Sequence, residues 1–158
     1  GFLAGHQGCA GGSPGTPHLS GVAEAIAYSV FQPGFICLDW DKVREALYSG
    51  PGVAAAGHGS VDRGGSVETA ITRAFAHWRR NRTGIDSKVD TVMLVLGTSV
   101  EGSATVQELK TITDRAFAEF PEGNTARWLL ATPVLPPGSS EAVVITKHSP
   151  EGLDATCG

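Results

Sequence analysis

The sequence predicts an α+β domain, a two-layer sandwich in which a mixed four-stranded sheet carries two helices on one face and a buried apolar helix lies nearby. Three observations carry this. From Val53 onward the hydrophobic patterns run strand, helix, strand, helix, strand, strand. The two helical stretches are each apolar along one stripe, as helices resting on a sheet must be. The chain has 158 residues, 41% of them hydrophobic and 18% charged, and a chain of that length buries roughly 70% of its unfolded surface without help from a metal or disulfides.

The elements follow in order. Residues 1–21 hold 7 of the 21 glycines, so Gly1 to Leu19 reads as a glycine-rich linker, with Ser20 capping the first helix. That helix, Val22 to about Phe31, has apolar residues around nearly its whole circumference, the mark of a buried helix; Pro33 and Gly34 end it. Asp39 is placed to cap a second helix, Trp40 to Tyr48. Gly50, Pro51 and Gly52 break the chain, and Val53 to Gly57 forms a short strand before a turn-rich stretch from Gly59 to Gly65. Ser66 caps a helix with Val67, Ala70, Ile71, Ala74, Phe75 and Trp78 on one stripe. Val89 to Leu96 is an unbroken apolar run, as expected of a strand covered on both faces. Thr105 and Glu108 make a T-x-x-E capping box for the next helix, whose stripe is Val106, Leu109, Ile112, Ala116, Phe117 and Phe120. Ala126 to Thr132 and Ala142 to Thr146 are two strands with no room for a helix between them. They are expected to pair as an antiparallel hairpin or to lie as neighbours with a loose loop. The domain therefore spans residues 20–148, followed by a flexible tail over 149–158.

Composition narrows the function. The net charge of −4 from 12 basic and 16 acidic side chains argues against nucleic acid as a partner bound through a broad cationic face. No apolar run reaches the roughly 18 to 20 residues of a membrane span, and no secretory leader is recognisable, so no membrane partner and a cytoplasmic location are expected. Cys9, Cys37 and Cys157 are odd in number and have no C-x-x-C spacing, which supports neither a disulfide framework nor a zinc knuckle. The five histidines form no i, i+4 metal pair, so no metal is expected. Met93 is the only methionine, so the chain is expected to be processed or part of a longer one. Arg73, Arg79, Arg80 and Arg82 cluster around the end of the Ser66 helix, where three of them complement its dipole.

One segment carries a family resemblance. Gln32-Pro33-Gly34-Phe35-Ile36-Cys37-Leu38-Asp39-Trp40-Asp41-Lys42-Val43-Arg44 is similar to the P-G-x-I-N-x-D-x-x-D-V loop of the FtsZ and tubulin superfamily of polymerising GTPases. Gly52 to Ser60, GVAAAGHGS, resembles the G-x-A-x-x-G-x-G strand and turn that follows, and Val92 to Gly97 and Ala126 to Lys147 resemble later strands of the same C-terminal, activation-type domain. The likeness covers roughly residues 22 to 148.

The resemblance implies a polymerisation or interaction module with half of a catalytic site. In that family the loop equivalent to Phe35–Val43 enters the GTP site of the next subunit, and its acidic residues position the water that attacks the γ-phosphate. It implies water positioning by Asp39, with Phe35, Ile36, Cys37, Leu38 and Trp40 as interface. It implies no nucleotide bound by this domain alone, with GTP supplied through a partner or a missing N-terminal domain, and an FtsZ/tubulin-like GTPase domain or a second copy as partner. The chain departs from the pattern at two places. The family's Asn falls on Cys37, and its second Asp falls on Lys42, which resembles the tubulin subunit type whose contacted GTP is not hydrolysed. Asp41 is displaced by one residue, about 100° around a helix, and does not replace the missing acid. Weakened or absent GTPase activation is expected.

The glycine-rich start, Gly8 to Thr16, also resembles the family's G-G-G-T-G-T/S-G phosphate loop, with Gly11, Gly12, Ser13 and Gly15 near phosphate in a relic loop; Pro14 removes a backbone donor at its centre. A different class of function remains open: an oligomeric small-molecule enzyme with an inter-subunit pocket drawing on His58, Arg63, Thr98 and Glu101.

Overall fold

In the computed structural model the described residues are 22–34, 36–61, 65–85, 88–99, 105–120, 126–137 and 139–150. The expected linker over 1–19 and nearly all of the expected tail lie outside them. The elements are α1 (Val22–Phe31), α2 (Trp40–Tyr48), β1 (Val53–Val61), α3 (Val67–Asn81), β2 (Val89–Ser99), α4 (Val106–Glu119), β3 (Arg127–Ala131), β4 (Val134–Leu135) and β5 (Ser140–His148).

The sheet order is β1-β5-β2-β3, with the short β4 also paired to β2. β5 is antiparallel to both β1 and β2, whereas β3 and β4 run parallel to β2. The mixed sheet is the one the sequence predicts, but the pairing of its last strands is not. β3 and β5 are not hydrogen-bonded neighbours: they flank β2 on opposite sides. The segment between them continues alongside β2 as β4 instead of turning back, so the hairpin expected from the short connection does not form.

The side-chain alternation of the central strands sorts the core into two halves. Val92, Leu94 and Leu96 of β2, with Ala142 and Val144 of β5, pack under the stripes of α3 and α4. Met93 and Val95, with Val143 and Ile145, face Ala25 and Ile26 of α1 and Val43 and Ala46 of α2. The second face is thus covered by α1, as the sequence suggests, and by α2 as well, which makes a third layer. α1 is also less enclosed than its composition implies. Ala25, Ile26 and Ser29 are buried, but Ala23 and Ala27 are exposed and Phe31 is 80% exposed.

Local signals set the helix ends. The side chain of Ser66 accepts from the Thr69 N–H, and Thr105 and Glu108 form the reciprocal capping box. Those bonds from Thr105 hold the Glu108 carboxyl below the usual carboxylate range. α2 ends under a cation: Lys147, buried in β5, donates its Nζ to the Ser49 carbonyl, one of the acceptors that a helix C-terminus leaves unpaired. Lys147 and His148 are both buried and both belong to β5, which runs past the Thr146 boundary expected from the apolar run.

A polar chain crosses the α3 side of the core. Trp78, 1% exposed, donates its indole N–H to Thr146 Oγ1 at 2.8 Å, and that oxygen lies 2.8 Å from His148 Nε2 and 3.4 Å from the Ala55 carbonyl. Trp78 thus sits in the aromatic cluster with Phe75 and Phe120. Thr146→Val keeps the shape of the side chain but leaves the buried indole donor unsatisfied, so a loss of about 1–3 kcal/mol is expected in denaturant unfolding. Thr146→Ser, which keeps the hydroxyl, is the control.

Candidate functional site

The loop between α1 and α2 is built onto the end of the sheet. Its backbone runs beside the β3–β4 junction: Gly34 bridges to Pro133, the Thr132 N–H donates to the Ile36 carbonyl at 2.9 Å, and the Val134 N–H donates to the Pro33 carbonyl at 2.9 Å. The Ile36 N–H donates to Thr132 Oγ1 at 2.8 Å, and Gln32 Nε2 reaches the Val134 carbonyl at 3.4 Å. Behind it, the Leu38 N–H donates to the carbonyl of Ser29, whose own hydroxyl is turned back into α1. Two prolines suit this seam, because a strand edge tolerates a residue that offers only its carbonyl. Gly34 is required by contact: a Cβ there would stand 2.1 Å from the Thr132 carbonyl oxygen.

What this seam presents outward is a short exposed ridge. Ile36 is 38% and Trp40 43% exposed, Cys37 is an exposed free thiol, and Trp40 lies beside the exposed Tyr48 ring with centroids 6.1 Å apart. Leu38 is half-buried against the second core half and anchors the ridge from beneath. Asp39 is exposed, and its Oδ1 accepts from the Asp41 N–H at 2.9 Å as the cap of α2. Lys42 is exposed in the first turn of the same helix. Asp41 turns to Arg44, 3.3 Å away, while Arg127 at the start of β3 meets Glu45 at 3.2 Å and braces α2 against the sheet. The expected site residues Ile36, Cys37, Asp39, Trp40 and Lys42 therefore lie exposed along one turn and the start of α2, with Leu38 half-buried beneath them. Phe35, and Gly11, Gly12, Ser13 and Gly15 of the relic phosphate loop, lie outside the described residues.

The anchors of the ridge, Thr132, Pro133 and Val134, were not legible as site residues, since they are about a hundred positions away and carry no motif.

Other candidate positions do not converge. His58 sits in β1 opposite Val143, and Thr98 sits in β2 opposite Ser140, on either side of β5; Arg63 and Glu101 lie outside the described residues. A cleft of about 500 Å3 opens between the starts of α3 and α4 and Ser140. Several of its polar side chains are engaged: Ser66, Thr105 and Glu108 in the two caps, Glu68 with Arg115 at 3.1 Å, and Thr111 with the Gln107 carbonyl. The arginines at the end of α3 are likewise placed. Arg79 pairs with Glu119, and the Arg82 guanidinium lies 4.7 Å over the Trp78 ring. Among the described residues no three His, Cys, Asp or Glu side chains gather into a metal site, and no helix is long and apolar enough to cross a membrane.

No family model matches this chain, and no curated protein matches it in sequence. Solved structures do. The chain is similar to a point mutant of FtsZ from M. jannaschii, with a TM-score of 0.60 at 12% identity over 78% of this chain and 36% of that one. It is also similar to an empty FtsZ dimer from M. jannaschii, with a TM-score of 0.54 at 12% identity over 79% of this chain and 35% of that one. The fold is FtsZ/tubulin-like, and the chain spans about a third of the length of the FtsZ structures it matches.

Proposed function

We propose that this chain is a C-terminal-type module of an FtsZ/tubulin-like assembly, and that its 35–43 turn docks onto the nucleotide site of a neighbouring GTPase domain with weakened or absent activation of hydrolysis. The observation that carries the reading is the exposed turn itself, hydrogen-bonded on its N-terminal side to the sheet end and through Leu38 to α1, while Asp39 and Lys42 are exposed. A docking element held this way loses little conformational entropy on binding. Ile36, Trp40 and Tyr48 supply apolar contact and Asp39 and Lys42 the polar register. The fold supports the reading, and one of the similar structures is a dimer.

The chemistry turns on Lys42. An ammonium group in this first turn attracts phosphate but does not orient a water for in-line attack, whereas a carboxylate accepts its hydrogen bonds. Lys42→Asp, tested with a nucleotide-loaded FtsZ-like GTPase domain, is expected to raise phosphate release at least about tenfold, close to 1.4 kcal/mol of barrier. Unchanged release with docking intact would overturn the assignment of the turn.

A further inference from the structure

We infer that three side chains on α3 close the outer edge of β1 against strand addition, and that without them this edge becomes a docking surface for a second copy of this chain. Among the described residues β1 is a terminal strand of the sheet. It is nine residues long, VAAAGHGSV, and contains none of the charges or prolines with which natural sheet edges usually discourage pairing. What leaves such an edge open to pairing is the row of backbone N–H and C=O groups that no charge or proline interrupts.

Its protection comes from the helix above. The side chain of Asn81 donates to the Ala56 carbonyl at 2.7 Å, the His58 N–H donates to His77 Nδ1 at 3.2 Å, and Arg73 donates to the Ser60 carbonyl at 2.6 Å. The strand positions are spaced by two and the helix positions by four, so one row of α3 runs along one side of β1. In an antiparallel ladder the N–H and C=O of a residue face the same neighbour, and the direction alternates. Ala56, His58 and Ser60 therefore turn their backbone groups away from β5 and toward the open edge. An incoming strand needs both groups of each such residue, and at all three one is already taken.

The row reaches the edge because α3 lies unusually near. Gly57 and Gly59 alternate with the guarded residues, and a Cβ on either would stand 2.1 Å from a backbone carbonyl oxygen of α3. That proximity lets a side chain as short as Asn81 span the gap. A second copy is the occupant that fits, because two such edges related by a two-fold axis pair antiparallel and satisfy each other.

The test combines Arg73→Ala, His77→Ala and Asn81→Ala in one chain. All three positions lie off the buried stripe of α3, and alanine keeps helix propensity. Parent and variant are compared without nucleotide or partner, at equal concentration, by size exclusion with light scattering and by amide exchange. The expected result is a dimeric or larger species absent from the parent, with exchange at the Ala56 and Ser60 N–H slowed in that species. A folded variant with the parent's mass distribution overturns the inference. Should the triple variant fail to fold, His77→Ala and His77→Gln decide. The first is expected to speed exchange at the His58 N–H at least about tenfold while dilute and monomeric, and to self-associate as its concentration is raised; the second, whose side-chain oxygen can accept, is expected to do neither. Equal exchange and equal mass in both overturn it.

Discussion

Gly57→Ala is expected to lower the unfolding free energy of this domain by about 3 kcal/mol or more, the upper end of what overpacking costs. The new Cβ would lie 2.1 Å from the Ala74 carbonyl oxygen, 2.4 Å from the Trp78 amide nitrogen and 2.6 Å from the Trp78 Cβ. Two of these are helix backbone atoms, so no rotamer change relieves the contact. Either β1 or α3 must retreat. Retreat of α3 draws Trp78 from the aromatic cluster and strains its bond to Thr146, which spreads the cost across the core. Against a typical total stability of 5–15 kcal/mol, such a loss leaves a markedly lower melting temperature. Thermal and denaturant unfolding measure it; a change under about 1 kcal/mol would mean that the close approach is not a fixed feature of the fold.

Gly34→Ala is expected to abolish docking while leaving most of the fold in place. Its Cβ would meet the Thr132 carbonyl at 2.1 Å and Pro133 Cα at 3.0 Å, which drives the loop off the β3–β4 junction. The bonds from Thr132 and Val134 to the Ile36 and Pro33 carbonyls then open at a solvent-exposed seam, and water replaces them, so the stability loss stays near 1 kcal/mol or a little above. The affinity loss is larger, since Ile36, Trp40, Asp39 and Lys42 no longer share one fixed geometry. A fall of at least about tenfold in binding to a nucleotide-loaded partner is expected. Full binding by a variant with a displaced loop would show that the turn is not the docking element.

The legible part of this fold is the part written locally. The stripe of α3, the Ser66 cap, the Thr105–Glu108 box and the Asp39 cap all depend on residues close in sequence, and each stands in the structure; the stripe of α4 holds at Leu109, Ile112, Ala116 and Phe120, whereas Val106 and Phe117 are exposed. What escaped depends on distant partners. Gly57 and Gly59 suggested the end of a strand, because glycine is rare inside one; the structure continues β1 to Val61 and uses their missing side chains to admit a helix. The encircling hydrophobicity of α1 suggested full burial, yet alanines carry no orientation of their own: Ala25 and Ile26 are buried in the core, Tyr28 and Val30 are only partly buried against it, and Ala23, Ala27 and Phe31 are exposed. The Asp39 turn was readable from its residues, but the reason it holds its shape lies in Thr132, Pro133 and Val134, and no spacing rule joins positions so far apart.

The place of β5 has a consequence for how the chain reaches this state. The last strand in sequence is the one inserted between β1 and β2, and it supplies hydrogen bonds to both. Everything made before it can collapse and form helices, but among the described residues the strand neighbour of β1 is β5, residues 140–148, the last strand to be synthesised. Closure of the sheet is thus a late, long-range event that carries a high loop-closure cost and a slow rate. During synthesis on the ribosome, the interval before that closure is when the nascent domain depends most on chaperones.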